Sequence, residues 1–149
     1  MEAGNNRPPF QEHGDLELYR GFYNSAFSKP IVTHDGISVY FRRNRFGHAI
    51  QESSQKDGNK DTFSIERAKR LGWIKIALQD LNLELKAGWN KKDKCYDHTG
   101  RVTLMIDDFV VVIRLISSVK AEFVTCYVAD SPRTKRLILS SPTWINPYR

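Results

Sequence analysis

The chain has little of what would make it disulfide-stapled, metal-clustered or membrane-embedded. Its 149 residues hold two cysteines, Cys95 and Cys126, with no CxxC spacing and no histidine pair nearby. Neither a disulfide framework nor a zinc site is indicated. No apolar run approaches the roughly 20 residues of a membrane span, and the opening MEAGNNRPPF lacks the basic and apolar regions of a signal peptide. These absences predict a cytoplasmic protein with no membrane partner. A phosphate-cradling glycine loop, an HExxH helix and a GxSxG elbow are all missing, so those three chemistries are set aside and no cofactor is expected. Cys95, Asp97 and His98 superficially resemble metal ligands, but no second cluster completes a coordination sphere.

What is present is ordinary globular material with a basic balance. With 40% hydrophobic and 27% charged residues the chain can bury one proper core. Basic side chains number 23 against 17 acidic, a net charge of +6. That suits a polyanion such as RNA or DNA, although charge alone equally fits a merely soluble basic protein. The cations gather in three short runs, Arg42-Arg43-Asn44-Arg45, Lys91-Lys92-Asp93-Lys94 and Arg133-Thr134-Lys135-Arg136. Runs this short are commonly solvated faces. Trp73, Trp89, Trp144 and Tyr127 could stack bases, while tryptophans at such positions more often serve as core.

Residues 1–30 are polar and broken by Pro8, Pro9 and Pro30, which reads as an N-terminal arm with a short helix over 16–27. Residues 31–149 read as a single domain. A strand pair turned at Asp35-Gly36 comes first, then a helix over 42–53 and a polar loop over 54–61. Ser64 is a suitable N-cap for a second helix, with Ile65, Ala68, Leu71, Ile74 and Leu78 at helical spacing. Gly72 inside that pattern costs about 1 kcal/mol relative to Ala, which implies a close neighbour. LELKAGW alternates at strand period, and Ser131-Pro132 opens a last short helix to 139. Helices followed by four consecutive strands predict an α+β fold, with N-terminal helices packed on a four-stranded antiparallel meander sheet.

The most informative segment is RVTLMI-DD-FVVVIRLI-SSVK-AEFVTCYV, from Arg101 to Val128. A two-residue turn at Asp107-Asp108 and a four-residue turn over 117–120 fix a register. In it Ile106 faces Phe109, Arg101 faces Arg114, Ile116 faces Ala121, Val112 faces Thr125 and Val110 faces Tyr127. Alternation then sorts the side chains. One face holds Val102, Leu104, Ile106, Phe109, Val111, Ile113, Leu115, Val124, Cys126 and Val128, with Glu122 as an intruder. The other gathers Arg101, Thr103, Arg114, Thr125 and Tyr127 among Met105, Val110, Val112 and Phe123. Two arginines and three hydroxyls among such neighbours mark a surface that meets something polar.

His48 is the one histidine displayed with charged company. Arg45, His48 and Glu52 fall at i, i+3 and i+7 on one helix face, with Phe46 and Ile50 as an apolar pair behind them. The cation and the carboxylate pull the imidazole in opposite directions, and spacing does not decide between them. The same three residues also fit the solvated face of an amphipathic helix.

The ordered set FRRNRFGHAIQES, FSIERAKRLGWIKIALQD, VVVIR and FVTCYVAD resembles the phage-associated branch of the barnase/RelE-like (BECR) nuclease superfamily, over about residues 31–144. That resemblance implies N-terminal helices ahead of a four-stranded antiparallel sheet. It also implies a metal-independent endoribonuclease acting on RNA, often as a toxin or effector in phage or mobile-element conflict. A cognate inhibitor or a phage structural protein would be a further partner. Carried over by position, the helix histidine is His48 and the strand hydroxyl is Thr125, with Tyr127 the next residue on that face. Arg114 and Arg101 match the phosphate-binding cations, with Arg45 behind them; Thr103, on the same sheet face, is a further candidate for substrate binding. No glutamate stands clearly at the barnase-like base position; Glu84 and Glu52 are the nearest substitutes. The expected reaction is attack of the ribose 2′-OH on the adjacent phosphorus, leaving a 2′,3′-cyclic phosphate. A non-catalytic nucleic-acid-binding module, or a phage assembly accessory docking through Trp144-Ile145, would use the same basic face.

Overall fold

The computed structural model describes the backbone of residues 7–52, 62–80, 85–90 and 95–144, and the side chains of 7–51, 63–80, 85–87 and 100–144. The expectations for Glu84, Ile145, the basic run at 91–94, the loop at 54–61 and the side chains of Trp89, Cys95, Asp97 and His98 lie outside them. The helix expected over 42–53 spans only Arg45–Ile50, so that Glu52 stands in a strand and not on the helix face of Arg45 and His48. Along the chain run α1 (Leu16–Ala26), β1 (Ile31–Val32), β2 (Ser38–Tyr40), α2 (Arg45–Ile50), β3 (Gln51–Glu52) and β4 (Thr62–Phe63). Then follow α3 (Ile65–Ala68), α4 (Trp73–Gln79), β5 (Lys86–Asn90), β6 (Cys95–Ile106), β7 (Phe109–Leu115), β8 (Lys120–Val128) and α5 (Pro132–Leu139).

The class is α+β, but the sheet is not the four-stranded antiparallel meander expected. It is six-stranded and mixed, ordered β1-β2-β8-β7-β6-β5, with β2 parallel to β8. β5 through β8 do run antiparallel in succession within it. The hairpin of β1 and β2 extends that run, pairing Val39 with Ala121 and Tyr40 with Glu122. Strands of two and three residues carry too little alternation to announce their partner.

The β6–β7 register is the expected one, Arg101 to Arg114 and Ile106 to Phe109, with Asp107 taking the left-handed turn conformation at φ 54°. β7 and β8 agree with expectation only as far as Val112 opposite Thr125. The next pair is Ile113 with Phe123, which leaves Val124 as an extra residue in a β-bulge. Beyond it Arg114 faces Glu122, and Leu115 rather than Ile116 faces Ala121. The bulge reverses three assignments. Phe123 turns into the core, Val124 turns out to a second apolar cluster, and Glu122 joins the outer face.

The core lies between the sheet's inner face and the helices. Val102, Leu104, Ile106, Phe109, Val111, Ile113, Phe123 and Cys126 meet Tyr19 and Tyr23 of α1, Phe46, Ala49 and Ile50 of α2, and Trp73, Ile74 and Leu78 of α4. Side-chain caps start three helices where polar residues stand: Asp15 accepts from the Leu18 N–H, Ser64 from Arg67 and Ser131 from Thr134. The single helix expected from Ser64 is broken into α3 and α4 at residues 69–72. The neighbour implied by Gly72 is Gln11, whose side chain lies 2.7 Å from where a Cβ would stand.

Gln11 belongs to a strap that crosses the molecule before α1. The Trp73 indole donates to the Pro9 carbonyl at 3.0 Å, Phe10 stacks on Trp73, and the Gln11 N–H donates to the Lys69 carbonyl. Arg7 reaches Asp107 and Asp108 in the β6–β7 turn, where Asp108 also takes two hydrogen bonds from the buried Arg70, at 3.1 and 3.0 Å. Removing that carboxylate leaves the buried guanidinium with only the Glu66 carbonyl and its half-exposed carboxylate as partners. Asp108→Ala is therefore expected to lose about 3–5 kcal/mol of unfolding free energy in urea titration, and a loss below about 1 kcal/mol would show that Arg70 finds solvent.

Candidate functional site

The outer face of the sheet carries the polar residues in rows set by register. One row runs Tyr40, Glu122, Arg114, Arg101 across β2, β8, β7 and β6. The next runs Thr125, Val112, Thr103, and a third runs Tyr127, Val110, Met105. Arg101, Thr103, Arg114, Thr125 and Tyr127 thus share a face. Arg101 and Arg114 are exposed at its end.

Glu122 changes the meaning of the first row. It is 3% exposed, and its carboxylate accepts a hydrogen bond from Arg114 while facing Arg42 Nε at 3.3 Å. A buried carboxylate between two guanidiniums is held by charge-assisted contacts. The single negative charge is shared between Arg42 and Arg114, so the trio keeps a net charge of about +1. Alternation without a bulge puts Glu122 on the apolar face, and the charge conflict this creates is the signal of a misplaced register.

His48 and Arg45 come from the other side. α2 packs against β8 with Phe46 and Ile50 fully buried, and the Cys126 thiol lies 3.8 Å from the Ala49 carbonyl. His48 is exposed and lines a recess with Arg42, Asn44 and Arg45. The Tyr23 hydroxyl donates to the Arg42 carbonyl at 2.7 Å, which fixes the backbone between β2 and α2. Arg42 therefore joins the two halves: its backbone is anchored in the core, and its side chain lies between the His48 recess and Glu122.

Thr125 and Tyr127 do not line that recess. Thr125 is half-buried, its hydroxyl 3.5 Å from the Cys126 carbonyl. Tyr127 faces a separate recess with Ser64, Glu66, Arg67 and Asp130. Burial pushes its phenol above the ordinary range, with Arg67 acting weakly the other way. Among the described residues no group of three or more His, Cys, Asp or Glu could hold a metal ion. Nor, among them, is any helix long and apolar enough to cross a membrane.

The chain matches no protein-family model, no curated protein and no solved structure.

Tyr127 and Tyr23 both have phenols raised by burial. A group whose folded value lies above its unfolded value of about 10 contributes stability that is complete below that pH and lost above it. Unfolding free energy should fall as pH rises from about 10 toward the raised folded values, and the fall should be smaller in Tyr127→Phe; equal falls in both proteins would contradict the assignment.

Proposed function

We propose that the chain is a metal-independent endoribonuclease of the barnase/RelE-like (BECR) kind in its chemistry, cleaving RNA through 2′-OH attack to a 2′,3′-cyclic phosphate on a six-stranded mixed sheet. The observation that carries this reading is the convergence at Arg42. The exposed His48 and the Arg45 guanidinium lie on one side of it, and the buried Glu122, which meets both Arg42 and Arg114, lies on the other. The reaction needs a group to accept the 2′ proton, another to protonate the 5′ leaving oxygen, and cations at the phosphorane. His48 is the proton-transfer group, since imidazole changes charge around neutral pH. Arg42 and Arg45 border it and hold the scissile phosphate, a role that the resemblance gave to Arg114 and Arg101 with Arg45 behind them. Glu122 acts through Arg42 and Arg114 as a positioning residue. Arg101 and Thr103 continue a cationic and hydroxyl-bearing track along the outer face. RNA is the substrate because DNA lacks the 2′-OH.

A binding module without turnover is the second reading. It is favoured by the engagement of both Glu122 oxygens, which leaves that carboxylate poorly placed to take a proton. Incubation of the purified protein with mixed RNA in EDTA separates the two. Cleavage by the parent, reduced about 10²–10⁴-fold in His48→Ala, is the expected result. Intact RNA together with tight, salt-sensitive binding would establish the module instead.

A further inference from the structure

On the far side of Arg42 from His48 lies a groove of about 460 Å³, formed where the α1–β1 loop, the end of β2 and the β7–β8 turn converge. We propose that it is a subsite for the nucleotide next to the scissile phosphate of a single-stranded RNA; this rests on the endoribonuclease reading and extends it. Three features carry the assignment. The walls offer flat and apolar surface, with Tyr40 at 40% and Ile116 at 53% exposure. Lys29, Arg42 and Lys120 set cations around them, and the Lys120 ammonium stands 5.9 Å from the Tyr40 ring centroid. The acid lining the groove, Glu122, is already engaged by Arg42 and Arg114, so it does not repel a phosphate.

A ring flanked by cations is the chemistry of single-stranded nucleic-acid binding, in which a base stacks and the backbone follows the positive charge. Its volume lies within the usual range of small-ligand sites. Arg42 lines both the groove and the His48 recess. A strand with its reactive phosphate on Arg42 therefore carries the adjoining base toward Tyr40. Because Glu122 is engaged, this subsite reads stacking and charge more than a base edge, and tolerates different bases.

The test is fluorescence anisotropy with a labelled, fully 2′-O-methylated RNA oligonucleotide, which has no nucleophile and cannot be cut. Tyr40→Ala should weaken binding by roughly fivefold or more, whereas Tyr40→Phe should retain the parent affinity. Lys120→Ala should reduce the salt dependence of binding by roughly one phosphate contact. Unchanged affinity in Tyr40→Ala and Lys120→Ala overturns the subsite, as does tighter binding of an acidic peptide than of the oligonucleotide. The outcomes stay distinct from those of the endoribonuclease reading. RNA cleavage that depends on His48 but binding that ignores Tyr40 removes the subsite alone. Tyr40-dependent binding without any cleavage keeps the groove and removes the enzyme.

Discussion

One extra residue in β8 governs the polar half of this molecule. If β7 and β8 paired without the bulge at Val124, Glu122 would point into an apolar core and Phe123 would point out of it. Burying an unpaired carboxylate costs several kcal/mol, and exposing Phe123 forfeits a further share of its roughly 1.5–3 kcal/mol of burial. The bulge relieves both conflicts at once. It delivers Glu122 to Arg114 across the strand and lets Phe123 stack on Phe41 at a centroid distance of 5.2 Å.

From that shift follows the junction at Arg42. Phe41 enters the aromatic cluster with Phe27, Tyr23 and Phe123, and Tyr23 also ties down the Arg42 carbonyl. The next side chain along, Arg42, reaches Glu122 while remaining largely in solvent. α2 starts three residues later, anchored by Phe46 and Ile50, and presents His48 and Arg45 beside it. A packed aromatic core on one side and a held ion-pair network on the other fix the recess between them. At the opposite end, the strap over Trp73 and the Arg70–Asp108 pair hold the β6–β7 turn in the same manner.

Much of this was legible in the sequence where local chemistry is decisive. Ser131-Pro132 announced α5, Asp35-Gly36 announced the β1–β2 hairpin, and the Asp107-Asp108 turn set Arg101 opposite Arg114. The two faces of β6 and β7 followed from alternation alone. The bulge did not, because Phe123 and Val124 are both apolar and either could face inward. The parallel pairing of β2 with β8 was hidden as well, since it joins residues some 80 positions apart through three-residue matches. Gly72 marked a close approach correctly, but the approaching group was a strap read as polar arm. For the site, the sequence pointed to His48, Arg45 and the arginine pair. Arg42 entered there only within a basic run and Glu122 only as an intruder on the apolar face, because their pairing depends on that concealed register.

The central claim is a proton-transfer reaction at His48 that uses the RNA's own 2′-OH. Mass analysis of the 3′ ends produced from a defined oligoribonucleotide in EDTA tests it most directly. The expected products are 2′,3′-cyclic phosphate ends with matching 5′-hydroxyl fragments, with no cutting where a 2′-deoxy residue replaces the attacking nucleotide. Products bearing 5′-phosphate and 3′-hydroxyl ends, or cleavage at the 2′-deoxy position, would contradict it.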